Sequence, residues 1–184
     1  MPDFPNVRVP TPPVLTPFHA HSLGEGVRIV VASGLGAATS QTWPADNLAL
    51  FYPFTLYEYS TAYQLLFMVG ATSSGNIDVG IYDSQKNLVV SSGSTAMSAT
   101  VNTVQELNIA DTELPPGEYI LGVACSTTVG TGFRCGFSDE IVLSYAPIYE
   151  QATALPLPDP CVPVVTTQAT VPVFVIGIQF RSVF

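Results

Sequence analysis

From Gly26 onwards the chain alternates short runs of β-branched and aromatic residues with clusters of turn-forming residues. The runs recur at roughly 8–12 residues, a spacing typical of β-sandwiches and β-barrels. No segment carries apolar residues at the helical spacing i, i+3, i+4, i+7 over three turns, so no helix is predicted. The predicted strands are Val27–Ser33, Leu48–Phe54, Tyr63–Val69, Ile77–Tyr82, Leu88–Ser91, Val104–Ile109, Tyr119–Cys125, Gly132–Phe137, Ile141–Tyr145 and Val173–Phe180.

Two of these strands show which side chains share a face, because successive side chains of a strand point to opposite faces. One face of the first strand carries Ile77, Val79 and Ile81, and the other carries Asp78, Gly80 and Tyr82. One face of the second carries Tyr119, Leu121 and Val123, and the other carries Ile120, Gly122 and Ala124. The small side chains at 122 and 124 predict that another group packs closely on that second face.

Residues 1–24 form a proline-rich arm with prolines at positions 2, 5, 10, 12, 13 and 17. This density of proline disfavours helices and sheet ladders and favours extended, polyproline-like backbone. The arm also carries apolar side chains, in which loose linkers are usually poor. These are Phe4, Val7, Val9, Val14, Leu15 and Phe18. We therefore expect the arm to lie along a neighbouring subunit, with a loose tail as the alternative.

A second proline-rich stretch, residues 154–163, separates the sandwich domain (residues 25–150) from the last predicted strand. It is expected to cross over without joining a sheet, so residues 151–184 form a crossover followed by a terminal strand. That strand is apolar on both faces, and its large side chains are Phe174, Ile176, Ile178 and Phe180. Such a strand is either buried in its own sandwich or added to a partner's sheet, and these four residues are candidate assembly contacts.

The composition is apolar and poorly charged, with 47% hydrophobic and 10% charged residues and a net charge of -9. So little charge predicts that other subunits cover part of the surface. No apolar stretch reaches the ~18 residues of a spanning helix, so no membrane association is expected. The five basic residues are scattered, which argues against nucleic-acid binding. The first residues lack a basic region followed by an apolar region, so no signal peptide is expected.

The sequence offers little chemistry for catalysis. His19 and His21 are the only histidines, and both lie in the arm. Without a Gly-x-Ser-x-Gly elbow, a serine hydrolase is disfavoured, and the acidic residues have the sequence context of turns and strand edges rather than of a glycosidase pair. We expect no enzyme and no cofactor.

Metal sites were weighed against structural roles for the same residues. The two histidines with Glu25 could supply part of a zinc site, complete only if several arms came together. Asp78, Asp83 and Asn87 could supply oxygens to calcium, although a solvated hairpin end is favoured. Three buried free thiols are the expected state of Cys125, Cys135 and Cys161, with a Cys125–Cys135 pair across a hairpin as the alternative. No metal is predicted.

Three segments carry a resemblance to a known class of proteins. They are Gly75-Asn76-Ile77-Asp78-Val79-Gly80-Ile81-Tyr82-Asp83, Leu88-Val89-Val90-Ser91-Ser92-Gly93-Ser94 and Leu114-Pro115-Pro116-Gly117-Glu118-Tyr119-Ile120-Leu121-Gly122-Val123-Ala124. The chain over about residues 48–145 resembles jelly-roll domains of tailed-bacteriophage virion proteins, of the head-decoration, neck-appendage and tail-fibre kinds; some carbohydrate-binding modules share this layout. The resemblance implies a jelly-roll-like antiparallel β-sandwich in a non-enzymatic virion protein, commonly trimeric, and carries over no functional residues.

The expected function is therefore that of a capsid decoration (cement) or head–neck accessory protein, assembled into the virion in the host cytoplasm. It would form a homotrimer and contact other virion proteins such as the major capsid protein. The alternative is a carbohydrate- or receptor-binding module of a tail fibre. In that case the candidate glycan contacts are Trp43, Tyr57 and Tyr59, from a region dense in aromatic residues. Aromatic side chains serve equally well in cores and interfaces.

Overall fold

The computed structural model describes residues 19–22, 27–31, 39–134, 148–152, 154–166 and 176–181. Over these residues it contains fourteen β-strands and no helix. The first seven are β1 (His19–Ser22), β2 (Val27–Val31), β3 (Thr39–Thr42), β4 (Leu48–Leu56), β5 (Ser60–Met68), β6 (Asn76–Asp83) and β7 (Leu88–Ser91). The others are β8 (Thr95–Ala96), β9 (Val104–Leu114), β10 (Gly117–Cys125), β11 (Thr131–Arg134), β12 (Tyr149–Gln151), β13 (Val164–Val165) and β14 (Ile176–Arg181).

The strands form two main antiparallel sheets. A five-stranded sheet has the order β1-β2-β14-β5-β9, and a seven-stranded sheet has the order β13-β12-β4-β10-β6-β7, with β8 also paired to β6. A small third sheet pairs β3 with β11. The prediction of an all-β fold is confirmed, and the arrangement is that of an antiparallel β-sandwich. Among the described residues there is no helix long and apolar enough to cross a bilayer.

The inner faces of the two main sheets enclose the principal hydrophobic core, called here the inter-sheet core. Register across the central strands of the seven-stranded sheet aligns its side chains in rows, for example Leu50, Val123 and Val79. The five-stranded sheet contributes Leu65 and Phe67, which are fully buried in the same cluster. The predicted faces are confirmed, because the inward faces of β6 and β10 are the two alternating apolar sets that the sequence indicated.

Most predicted strands are present with moved boundaries, but several short strands were missed. The strand predicted to end at Ile109 continues to Leu114, and the strand predicted to begin at Tyr63 begins at Ser60. The assignment of His19–Ser22 to a ladder-free arm is wrong. These residues contain no proline and pair with β2. The predicted strand Ile141–Tyr145 lies outside the described residues.

The last strand lies inside the five-stranded sheet rather than at its edge. β14 pairs with β2 on one side and with β5 on the other, so it joins the β1–β2 hairpin to the rest of that sheet. Its side chains Ile176, Ile178 and Phe180 are buried in the inter-sheet core. Burial in the chain's own sandwich is thus confirmed for these three residues. Their assignment as partner contacts is wrong, because the opposite sheet covers them. The fourth predicted contact, Phe174, lies outside the described residues.

Candidate interaction surfaces

The outer face of the seven-stranded sheet carries a second hydrophobic cluster, which the proline-rich stretch covers. Residues 154–163, called here the strap, contain no strand, as predicted. Ala154, Leu157 and Cys161 of the strap are buried against this face. The sheet contributes the outward side chains Ala49, Phe51, Tyr82 and Ala124. The prediction that a group packs closely on this face of β10 is therefore confirmed.

Glycine at two positions makes this close packing possible. A Cβ atom at Gly122 would lie 2.9 Å from the ring of Tyr82 and 3.1 Å from that of Phe51. A Cβ atom at Gly80 would lie 2.9 Å from the Leu157 side chain. The two distances of 2.9 Å are shorter than real Cβ contacts, so a larger residue at Gly122 would displace the Tyr82 ring and one at Gly80 would displace the Leu157 side chain. Phe51 and Tyr82 meet edge to face, with ring centroids 5.6 Å apart, a favourable aromatic geometry.

Three hydrogen bonds join residues 157–159 of the strap to the sheet. The backbone N–H of Leu157 donates to Oδ2 of the buried Asp78 at 3.0 Å. The Tyr82 hydroxyl donates to the carbonyl of Pro158 at 2.9 Å, and the N–H of Leu88 donates to Oδ1 of Asp159 at 3.0 Å. Buried polar groups are costly unless they are paired. The strap is thus positioned by specific polar partners as well as by apolar contact.

Asp78 is the only acidic residue that is buried among the described residues. Burial raises the pKa of its carboxyl group, since removal from water penalises the charged form, and hydrogen bonds from Leu157 and Ser92 oppose this increase. Asp83, in the β6–β7 turn, has a lowered pKa because Asn87 donates to it from both its side chain and its backbone. The two carboxylates therefore serve different structural purposes.

Beside the strap, the same outer face holds an open groove with a volume of about 230 Å³. Its floor comes from neighbouring strands, since Pro53 of β4 lies directly opposite Ile120 of β10. Aromatic residues and prolines dominate the lining, which also includes the exposed residues Lys86 and Glu118. The lining residues are Phe51, Pro53, Lys86, Glu118, Tyr119, Ile120, Tyr149 and Pro163. Sequence analysis did not identify this groove, because its residues come from five separate segments.

Immediately past the groove, the edge of the seven-stranded sheet is apolar and exposed. Among the described strands, β13 is the terminal strand of that sheet, and Val165 pairs with the groove residue Tyr149. The side chains of Val162, Val164 and Val165 are 69%, 61% and 55% exposed. We call these three residues the apolar edge. Exposed apolar residues on an unpaired strand favour association with another chain.

The edge of the five-stranded sheet at β9 has the opposite character. Its exposed residues include the acids Glu106, Asp111 and Glu113. Charges on an edge strand discourage pairing with another chain. We therefore call β9, which carries these acids, the guarded edge, in contrast to the open edge at β13.

The candidate glycan contacts do not form one site. Trp43 is only 2% exposed, and its indole N–H donates to the backbone carbonyl of Leu48 at 2.9 Å. Its assignment as a glycan contact is wrong, because no face of the ring is available for stacking. Tyr57 and Tyr59 are 71% and 50% exposed on the loop that connects β4 of the seven-stranded sheet to β5 of the five-stranded sheet. The hydroxyl of Tyr59 donates to Glu113 at 2.7 Å.

The candidate metal ligands are likewise dispersed. Asp78 lies under the strap, whereas Asp83 and Asn87 bond to each other across their turn. The described residues contain no group of three histidine, cysteine or carboxylate side chains able to hold a metal ion. The backbone of His19 and His21 lies in β1, and Glu25 lies outside the described residues.

Other predicted residues fall partly outside the description. Cys135 lies outside the described residues, and so do all the predicted contact residues of the arm, which are Phe4, Val7, Val9, Val14, Leu15 and Phe18. Cys125 and Cys161 are buried free thiols, as expected. Burial raises the pKa of both, that of Cys161 to about 11.

Comparisons with known proteins do not place the chain in a family. No family model matches it. No curated protein and no solved structure matches it either. What can be said of its role therefore rests on the strap, the groove and the two sheet edges.

Proposed function

We propose that this chain is a non-enzymatic structural protein that works by binding other protein subunits. In its finer form, the proposal is a jelly-roll virion protein of a tailed bacteriophage, acting as a capsid decoration or head–neck accessory protein. It would assemble as a homotrimer in the host cytoplasm and contact other virion proteins such as the major capsid protein. The resemblance of the β6, β7 and β10 segments supports the virion assignment.

The observation that carries the proposal is the apolar edge beside the aromatic groove. The three valines of this edge are more than half exposed: Val164 and Val165 lie on β13, the terminal strand of its sheet among the described residues, and Val162 lies just before it. The chain as a whole has 10% charged residues. Burying such a surface in an interface contributes about 25 cal/mol per Å² before the costs of association. Several carboxylates have structural partners: Asp78 binds the strap, Asp83 closes a turn and Glu113 accepts from Tyr59. These roles support assembly rather than catalysis.

Oligomeric mass tests the proposal directly. Light scattering at micromolar concentration should give the mass of a trimer. Val164→Lys should weaken association by about tenfold or more, because a charge would be buried in the interface. Val104→Lys is the matched control, since Val104 is similarly exposed but lies on the guarded edge β9. A monomeric wild-type protein, or equal effects of the two substitutions, would contradict assembly through the apolar edge.

The virion assignment has a separate test. Mass spectrometry of gradient-purified phage particles, produced by the genome that encodes this chain, should detect it at stoichiometric levels. Its absence from such particles would refute the virion role while leaving self-assembly intact.

A second function, glycan binding, is favoured only by the loop between β4 and β5. Tyr57 and Tyr59 are both exposed there, and the hydroxyl of Tyr59 donates to the carboxylate of Glu113. Protein sites for sugars combine aromatic faces with polar groups. On a glycan array, Tyr57→Ala should abolish binding, Tyr57→Phe should preserve it, and Val129→Ala should have no effect. An array without any bound glycan would eliminate this alternative.

A further inference from the structure

The groove has the chemistry of a site for proline-rich backbone. Polyproline segments bind in grooves lined by aromatic side chains, because their extended conformation exists before binding and costs little entropy. Here the aromatic residues Phe51 and Tyr149 line the groove together with Pro53 and Pro163. Its fixed charges are Lys86 and Glu118, both on exposed residues. The groove therefore suits an apolar, proline-rich ligand that carries charge.

The same sheet face already binds such a segment. The strap has four prolines within 154–163, and it lies against Phe51 and Tyr82 through Leu157 and Cys161. It also offers the carbonyl of Pro158 to the Tyr82 hydroxyl. Pro163, at the end of the strap, lines the groove. The groove thus continues the surface on which this chain binds its own proline-rich segment.

The chain contains a second proline-rich segment with matching charge. Residues 2–17 include Pro10-Thr11-Pro12-Pro13, which has the proline spacing of polyproline ligands. Arg8, two residues before Pro10, is the one basic residue in residues 1–18. An arginine at this end of the motif complements Glu118 of the groove.

The point at which the arm leaves the fold favours binding to another copy. β1, which follows the arm, belongs to the five-stranded sheet. The groove lies on the outer face of the seven-stranded sheet, which points away from the five-stranded sheet. An arm that reached its own groove would have to pass around an edge of the sandwich, whereas the groove of a neighbouring copy imposes no such path.

We propose that the proline-rich arm of one copy, residues 2–17, binds in the groove of a second copy, with Arg8 against Glu118. This inference rests on the proposed function, since it assigns an occupant to one of the surfaces through which subunits would bind. The groove is then the binding site for the arm, and copies assemble by each placing its arm in the groove of another copy.

Charge exchange tests the contact in the full-length chain. Arg8→Glu and Glu118→Arg each place like charges together, and each should weaken association by about tenfold in sedimentation equilibrium. The double variant should return to within about threefold of wild type, because the charge pair is restored in reverse. The matched control combines Arg8→Glu with Glu106→Arg, an exposed acid of β9. This control should show no recovery.

Mixing distinguishes binding to a second copy from binding within one copy. When the Arg8→Glu chain meets the Glu118→Arg chain, each arm faces a groove of opposite charge in the mixed oligomer. Association should therefore recover on mixing. In a mixed dimer both contacts between an arm and a groove pair opposite charges, and in a mixed ring trimer two of the three contacts do. If each single variant is impaired and mixing restores nothing, the arm does not bind a second copy. If none of the charge changes alters association, the inference is overturned and the proposed function stands. A monomeric wild-type protein would instead refute the proposed function.

Discussion

The inter-sheet core and the strap cluster are both hydrophobic, but they are held together in different ways. The inter-sheet core lies between two hydrogen-bonded sheets, so strands cover it from both sides. The strap cluster has a sheet on one side only, and a segment without strands covers the other. An irregular segment can thus bury a sheet face if side chains supply hydrogen bonds that a ladder would otherwise provide.

The two clusters should therefore respond to different substitutions. Removing a large side chain from the inter-sheet core leaves a cavity that neighbouring strands cannot fill, because both sheets are fixed by their ladders. Removing an anchor of the strap lets the strap move away, so part of the cost is relieved by local opening. Polar partners such as Asp78 should matter only for the strap cluster.

The largest effect is expected for Phe67→Ala in the inter-sheet core. Phe67 is fully buried and its ring lies 6.4 Å from that of Trp43. The substitution should lower the free energy of unfolding by about 3–5 kcal/mol, measured by urea denaturation. Val104→Ala, at an exposed position, should change it by less than about 0.5 kcal/mol. A loss below about 1 kcal/mol for Phe67→Ala would contradict the description of a tightly packed core.

Leu157→Ala should destabilise the strap cluster by about 2–3 kcal/mol, near the lower limit for buried leucine, because the strap can relax. The effect should also be local. Alkylation of Cys161, mapped by mass spectrometry, should accelerate, while Cys125 in the inter-sheet core should keep its wild-type rate. Both thiols are buried with raised pKa values, so each reports the opening of its own cluster. Equal acceleration at both cysteines would show that the two clusters unfold as one.

Asp78→Ala should cost about 1–3 kcal/mol, because the buried N–H of Leu157 would lose its acceptor. Asp78→Asn should lose no stability relative to wild type, since an amide oxygen can accept from Leu157 and the amide N–H can donate to Ser92. The two variants are compared by urea denaturation at neutral pH. If the alanine variant were as stable as the asparagine variant, the hydrogen bond would have no role in holding the strap.

The smallest effect is a dependence on pH. The pKa of Asp78 is raised on folding, so its contribution to stability is complete below its unfolded pKa of about 3.9 and is lost as the pH rises through the folded pKa. Asp78→Asn should therefore gain stability relative to wild type as the pH rises from the unfolded pKa of about 3.9 through the folded pKa of Asp78. Asp83→Asn should show the opposite trend, because the lowered pKa of Asp83 contributes stability that is lost as the pH falls. Parallel pH profiles for both variants and wild type would contradict these assignments.

The fold class could be predicted because alternation along a strand is local information. Ile77, Val79 and Ile81 fall on one face whatever lies opposite, and the structure places that face in the core. Strands such as β13 were missed, because two valines after a proline-rich segment carry no alternation to detect. Pairing partners distant in sequence decide whether such residues become a strand.

The functional surfaces were less accessible to sequence reasoning. Small residues at positions 122 and 124 indicated a close neighbour for β10, but nothing local identified the strap as that neighbour. The exposure of Tyr57 and the burial of Trp43, fourteen positions apart in one aromatic-rich region, depend on the path of the chain and not on residue type. The groove combines residues from 51 to 163, so only the folded chain brings them together.

The position of β14 determines when this protein can finish folding. Among the described strands, the β1–β2 hairpin is joined to the rest of its sheet only by β14. A ribosome moving at about 5–20 residues per second needs on the order of ten seconds to travel from Val31 to Arg181. Throughout that interval the nascent hairpin lacks the strand that pairs with it in the sheet, and a product whose translation stopped before Ile176 would hold two unconnected parts of one sheet. Chaperone protection during synthesis is therefore most valuable for the earliest strands of the chain.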